Sequence, residues 1–309
     1  RGLVGSGFMK KLLGILVLGL LWYNFALADV YELKIDLDTS EKTSKKIIIK
    51  DGYSSECRAS LKDSNAHSVV DFNFYAINSE LKTEIGFYLK EQNETVGFNV
   101  THLTQINQNG TMGKTKFLSE EWVGKPEEQA QLKKALKPYL IGFKQAGKIM
   151  FDKDNRRPEY GKSLKWGSMG KVNYDPKKSL NSLISLASKM VPSNQRAQLK
   201  KIFNHVKKNS NMTLSKEYIG HSVIEGQKYY LIRYNFIIDY TGDNYQYESF
   251  MKQWYFDQII FVHAESGMPT IIYDIKPNTD TLLNHRMNCK VFKNKVLISE
   301  ISVPKLLKN

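Results

Sequence analysis

From Lys46 onward apolar and polar residues alternate with a period of two, the spacing of a strand with one buried face. The run "HSVVDFNFYAIN" sets Val70, Phe72, Phe74 and Ala76 on one side and Asp71, Asn73 and Tyr75 on the other. "LKTEIGFYLK" and "TVGFNVTHLTQI" repeat the pattern, separated by Asn, Glu, Gln and Gly, so an antiparallel meander is expected here. The period then changes. After Gly124-Lys125-Pro126, "PEEQAQLKKALKPYL" opens with proline at a first helical position and two glutamates where a helix dipole favours them; Pro138 ends or kinks this helix.

A second helix is expected from Asp175-Pro176, with Asp as cap and Pro as first residue. Leu180, Leu183, Ile184, Ala187, Met190 and Val191 fall at intervals of three and four and draw one apolar stripe, which Pro192 stops. Ser193 can cap a third helix whose stripe is Leu199, Ile202, Phe203 and Val206, with Lys207 and Lys208 at its C-terminal end. The two stripes need a sheet to cover.

Strands return in "EYIGHSVIEGQKYYLIRYNFIIDY", two arms around Glu225-Gly226. The second arm alternates Tyr230, Ile232, Tyr234, Phe236, Ile238 and Tyr240 against Tyr229, Arg233, Asn235 and Asp239. "YESFMKQWYFDQIIFVHAE", a turn at Gly267-Met268-Pro269, "TIIYDI" and "CKVFKNKVLISEI" complete the strand-rich end. The expected class is α+β: a curved antiparallel sheet, or sheets, packed against a small helical insert over about 126–208. No repeat or long linker marks a boundary, so one unit and two sub-domains are both compatible.

The stretch at Met9–Asp29, "MKKLLGILVLGLLWYNFALAD", has the three parts of an export leader: Lys10 and Lys11, an uncharged run from Leu12 to Trp22, and the small-residue pattern Ala26-Leu27-Ala28. The run would make a helix of roughly 16 Å against a bilayer core of about 30 Å, too short to span comfortably. Cleavage is expected between Ala28 and Asp29. Residues 1–8 read as an upstream extension, 9–28 as a signal peptide, and 29–309 as an exported domain in the periplasm or outside a bacterial cell.

Charge then narrows the partners. The chain has 45 Lys and Arg against 31 Asp and Glu, and residues 29–309 keep a formal charge of about +11. Anionic envelope surfaces, lipid headgroups or polysaccharides, suit such a protein, unless the lysines simply reflect composition. No dense basic stripe interleaved with aromatics is present, so nucleic acid is not an expected partner. Cys57 and Cys289 would reach an oxidising compartment, where a disulfide would tie the first strands to the last; two separate buried thiols are the alternative.

Catalytic signatures are sparse. Gly220-His221-Ser222 has the start of a nucleophile turn, but Ile224 stands where a glycine is needed, and another strand follows. Ser79 and Lys82, and Ser302 and Lys305, have a Ser-x-x-Lys spacing with no companion motif. The histidines, His67, His102, His205, His221, His263 and His285, are scattered singly, and in "FDKDNRRPEYG" Arg156 and Arg157 sit where a calcium loop wants oxygens beside Asp152, Asp154 and Glu159. Sequons at Asn93, Asn99, Asn109 and Asn211 read as chance behind a bacterial leader. No catalytic residue, metal or cofactor is expected.

What stands out is aromatic. Tyr230, Tyr234, Phe236 and Tyr240 in one strand, with Trp254, Phe256 and Phe261 in the next β segments, could line one concave sheet face. Either the helices fill that face as an ordinary core, or a greasy cleft is left for an acyl chain. "IGHSVIEGQKYYLIRYNF" followed by "KQWYFDQIIFVHAESGMPTIIYDI", roughly Glu217 to Ile275, resembles the outer-membrane lipoprotein carrier superfamily and its periplasmic relatives, with Asp257, Gly267 and Pro269 matching its loose pattern. That resemblance implies a β-clam, a curved sheet wrapped around helices, with a hydrophobic cleft and no catalytic residues. The combined expectation is an exported, non-catalytic binding or carrier protein for a lipid or other apolar ligand. A basic envelope protein that holds anionic polymers is the alternative, and a hydrolase a more distant one.

Overall fold

Alternating side chains make strands only if a partner surface buries one side of them, and here one surface serves most of the chain. The computed structural model describes residues 35–40, 45–62, 67–91, 94–137, 140–150, 160–164, 172–173, 175–190, 193, 196–243, 256–274 and 287–306. Residues 1–34, which include Ala28 and Asp29, together with Asn93, residues 152–159, Trp254 and His285, lie outside these residues.

In chain order the strands begin with β1 (Lys45–Lys46), β2 (Tyr53–Lys62), β3 (His67–Ile77), β4 (Glu80–Glu91), β5 (Glu94–Ile106) and β6 (Met112–Val123). Helices α1 (Pro126–Leu136) and α2 (Leu140–Met150) follow, then the two-residue strands β7 (Ser163–Leu164) and β8 (Val172–Asn173) and helices α3 (Pro176–Met190) and α4 (Arg196–Lys208). Strands β9 (Ser210–Ile224), β10 (Gln227–Tyr240), β11 (Phe256–His263), β12 (Pro269–Asp274), β13 (Asn288–Lys293) and β14 (Val296–Ser302) lead to the short α5 (Val303–Leu306). The class is α+β, with every described strand pair antiparallel.

Two sheets carry the fold, a seven-stranded one in the order β14-β13-β2-β3-β4-β5-β6 and a five-stranded one in the order β12-β11-β10-β9-β8. The larger one is a meander closed by the last hairpin, which lies beside β2. Its hairpin turns Asn78-Ser79 and Asn294-Lys295, like Glu225-Gly226 in the smaller sheet, have positive φ at both residues, the twist that suits two-residue antiparallel loops. Registers Cys57↔Phe72, Phe72↔Ile85 and Ile85↔Val100 place Cys57, Phe72, Ile85 and Val100 on one face. By alternation Ala59, Val70, Phe74, Ala76, Leu81, Phe87, Leu89, Val96 and Phe98 share it, and all of these are buried. The opposite face carries Arg58, Asp71, Asn73, Tyr75, Glu84 and Tyr88.

That inner face is covered in sections. Toward β4 and β5, α1 and α2 lay Leu132, Leu136 and Phe143 on Phe87, Val96, Phe98 and Val100. Phe98 is the hub: its ring stands 5.3 Å from Phe87, 5.3 Å from Trp122 and 4.9 Å from Phe143. Toward β2 the cover is the smaller sheet, whose edge strand β12 packs against β2, β13 and β14. Ile232, Ile260 and Val262 enter one cluster with Tyr53, Phe74, Leu81 and Ile106. Tyr229, Leu231, Phe261, Ile271 and Tyr273, from the other face of the same strands, enter a second with Cys57, Ala59, Cys289 and Ile301.

Polar contacts fasten the two sheets. Ser55 Oγ donates to the Pro269 carbonyl at 2.8 Å, and Glu265, in the β11–β12 turn, accepts from Tyr53 of β2 and, at 3.1 Å, from Lys293 of β13. The turn fits because Gly267 (φ 71°) has no Cβ; one there would stand 2.4 Å from the Ile48 carbonyl oxygen. Cys57 and Cys289 face each other across β2 and β13 and form a disulfide, joining residues 232 apart in sequence. In the chain-entropy picture a loop of that size is worth about 5 kcal/mol. Replacing both cysteines by Ala is expected to lower the urea midpoint by a corresponding amount, while alkylation of the native, non-reduced protein should label no thiol; an unchanged midpoint would show that the ladder alone holds the ends.

Candidate functional site

The aromatic residues of β10 divide along the strand by what covers them. Tyr234, Phe236 and Ile238 pack with Leu214 of β9 beneath Leu180 and Ile184 of α3 and Phe203 and Val206 of α4. Asp175 caps α3 as its chemistry suggests, accepting the Lys177 and Lys178 amides at 2.9 and 3.2 Å. The helices touch each other, and α3 touches β9 and α2. Phe236 is only 2 % exposed, so this section of the aromatic face is a closed apolar seam between a helix pair and a sheet.

Tyr240 sits at the seam's margin, where its hydroxyl and His205 Nε2 are 2.7 Å apart. Tyr230 lies farther along β10, half-buried, with its ring edge-on to Tyr218 at 5.7 Å. Lys216 reaches over the Tyr234 ring, 5.7 Å from its centre. Phe256 pairs with Phe236 in the β10–β11 ladder. Phe261 does not join them. It pairs with Leu231, which puts it on the opposite face, fully buried against the larger sheet. A β-bulge at Ile219 shifts the register, since Leu231 pairs with Gly220 and Ile232 with Tyr218.

A surface cleft of about 220 Å³ lies elsewhere, at the β9–β10 turn, lined by Ile35, Asp36, Ser222, Glu225, Ile301 and Leu306. It is smaller than the roughly 300 Å³ at which ordinary small-molecule pockets begin, and it is remote from the aromatic seam. Ser222 is buried there, while its neighbour His221, pointing to the other side of the strand, binds Asp38 through Nε2 at 3.2 Å and through paired backbone bonds. The two side chains do not converge as a nucleophile and base would. Among the described residues no group of three or more His, Cys, Asp or Glu is arranged to hold a metal ion, and no helix is long and apolar enough to cross a membrane.

Two polar features were not singled out in the sequence. Arg233 grips Asp257 with two parallel bonds, Nε to Oδ1 at 2.7 Å and Nη2 to Oδ2 at 2.6 Å, although Asp257 is only 2 % exposed. His263 is buried in the β11–β12 turn, with Nδ1 2.9 Å from Ser266 Oγ and Nε2 3.3 Å from Gln227 Oε1. Ser266 Oγ also accepts the Met268 amide at 3.1 Å, so this Ser-His pair braces a turn. The cross-strand register Arg233, Ile259 and Asn235, Asp257 becomes visible only once the strands are paired.

No protein-family model, curated protein or solved structure matches the chain.

Two tests follow from the buried polar groups. Burial holds the imidazoles of His263 and His102 below their ordinary pKa, so both are favoured neutral in the folded state. Their contribution to stability is fully present above the unfolded value of about 6.5 and is lost as pH falls below it, because the unfolded chain then binds more protons. The thermal midpoint should drop between pH 7 and 5, and a His102→Gln/His263→Gln variant should show a shallower drop; an identical slope would place the dependence elsewhere. Separately, Arg233→Ala should cost about 3 kcal/mol in urea unfolding by leaving Asp257 buried and unpaired. Arg58→Ala, which breaks the more exposed bidentate pair with Asp71, should cost about 1 kcal/mol.

Proposed function

We propose that this chain is an exported, non-catalytic carrier for an apolar ligand, an acyl lipid or a molecule of similar shape. In this reading the ligand enters between the α3–α4 pair and the aromatic face of β9 and β10, in a β-clam-like arrangement of a curved sheet closed by helices. The observation that carries it is the separateness of the seam. Leu180, Ile184, Phe203, Val206, Leu214, Tyr234, Phe236 and Ile238 form a cluster of their own, apart from the three that join the sheets and α1–α2. Lifting the helix pair therefore exposes one apolar surface and leaves the main framework packed, which is the energetic condition for local opening.

Four other features support the reading. The leader pattern directs the chain to the periplasm or beyond, and the Cys57–Cys289 disulfide suits an oxidising compartment. The β9–β12 region carries the run that resembles the lipoprotein carrier superfamily. Tyr240, at the margin with its hydroxyl toward His205, is the kind of amphipathic side chain that suits the rim of an apolar site.

The test is organic extraction of the purified protein with mass spectrometry of the extract, alongside titration with a fluorescent fatty-acid probe. The expected result is a near-stoichiometric acyl species, or saturable probe uptake by ligand-free protein. An empty extract together with no probe uptake would overturn the proposal and leave the seam as ordinary core.

A further inference from the structure

The larger sheet has a second face. Among the described elements α1, α2 and β12 pack on its inner side, and no residue of the outer side belongs to any of the four apolar clusters. The ladder registers lay out what that side presents. Phe292, Ser54, Tyr75 and Lys82 form one row across β13, β2, β3 and β4; Lys290, Glu56, Asn73 and Glu84 form the next; Arg58, Asp71 and Gly86 form a third, with Asn99 of β5 beside Gly86. Tyr88, two residues beyond Gly86, lies down on this surface. A Cβ on Gly86 would stand 2.5 Å from its ring, and one on Gly97, its cross-strand partner, 2.7 Å from the ring and 2.2 Å from the Phe87 carbonyl oxygen. Gly86 has no positive φ, and the atoms nearest its absent Cβ all belong to Tyr88, so what the bare backbone admits there is the ring, laid along the strands. The charges of the face are interleaved. Arg58 grips Asp71 with two bonds of 2.8 Å, Lys82 pairs with Glu84 at 2.6 Å, and Lys290 stands between Glu56 and Glu300 in the ladder, on a chain whose formal charge is +14.

We infer that this outer face binds an uncharged oligosaccharide. A sugar ring is apolar on its C–H faces and polar around its rim, and the negative face of an aromatic ring attracts such C–H groups. Tyr75 and Tyr88, both half-buried, offer two aromatic rings on one side of the sheet. Lys82, opposite Tyr75, and Gly86, under the Tyr88 ring, are four residues apart on β4, roughly 13 Å, a span of a few sugar residues. Asn73 and Glu84 lie between the rings, and the Arg58–Asp71 pair borders Tyr88. Among the described residues the Tyr75 and Tyr88 hydroxyls and the Asn73 amide have no hydrogen-bond partner, which leaves donors and acceptors for the hydroxyls of a sugar. Charge decides against other occupants: an anionic polymer would find Arg58 and Lys82 already held by carboxylates, and an acyl chain would have to cover the polar groups between the rings. The seam under α3 and α4 belongs to the other sheet, so this inference stands apart from the carrier proposal and either can fail alone.

The test is isothermal titration of the full chain with cellohexaose and with chitohexaose, two uncharged hexasaccharides, at low and moderate salt. Saturable binding of at least one is expected, with an affinity that salt leaves unchanged because the ligand carries no charge to screen. Each stacked ring is worth roughly five-fold, so Tyr75→Ala/Tyr88→Ala should lower the affinity at least about tenfold. Asn73→Ala should lower it by roughly five-fold, the worth of one hydrogen bond. Tyr75→Phe/Tyr88→Phe keeps both ring faces and should lose less than the alanine pair. Thermal midpoints report folding; Tyr75→Ala alone, which leaves the Tyr88 ring on its glycine, carries the five-fold expectation should the pair not fold. Heats of dilution alone with both sugars, an affinity that collapses as salt rises, or equal affinities in the tyrosine and alanine chains would each overturn the inference, the first leaving Tyr88 as no more than a cover for Gly86.

Discussion

A seven-stranded antiparallel sheet with one apolar face can exist in water only if the rest of the chain covers that face, and this requirement organises the whole molecule. Phe98 and its neighbours are covered by α1 and α2, while the Phe74 and Cys57 regions are covered by the five-stranded sheet. The last hairpin then extends the same sheet beside β2 and is held there by both ladder and disulfide. Strands β2 and β13, from the two ends of the described chain, are thereby neighbours, so the larger sheet cannot part between them without breaking both a covalent link and a buried ladder. The helices α3 and α4 are the exception, since they cover only the far end of β9 and β10.

That division between a tied framework and a separately packed helix pair is what the functional reading uses. A carrier must release bound apolar matter without unfolding, which calls for an element whose opening free energy is below that of the whole.

Much of the framework was legible in the residues because it depends on local period. The alternation at Val70–Ala76, the Asp175-Pro176 start, the stripe ending in Phe203 and Val206 and the Glu225-Gly226 turn all report geometry within a dozen residues, and the structure has each of them. What was not legible depends on pairing at long range. Helix α2 does not show in the sequence because "LIGFKQAGKIM" follows a proline and mixes glycines into its stripe. Phe261 reads as a companion of Phe236, but register sends it to the other face. The Arg233–Asp257 pair joins residues 24 apart that no motif links. Whether an aromatic strand face is open or covered is likewise a property of what folds onto it, not of the strand.

Native-state hydrogen exchange, resolved by segment, tests the central claim most directly. Amides of α3 and α4 should exchange through a local opening well below the free energy that governs β2–β5, and an acyl ligand should raise the protection of those helices while leaving the sheet unchanged. If α3 and α4 instead exchange only with global unfolding, at the same free energy and urea dependence as β2–β5, the helix pair is part of the framework and does not open.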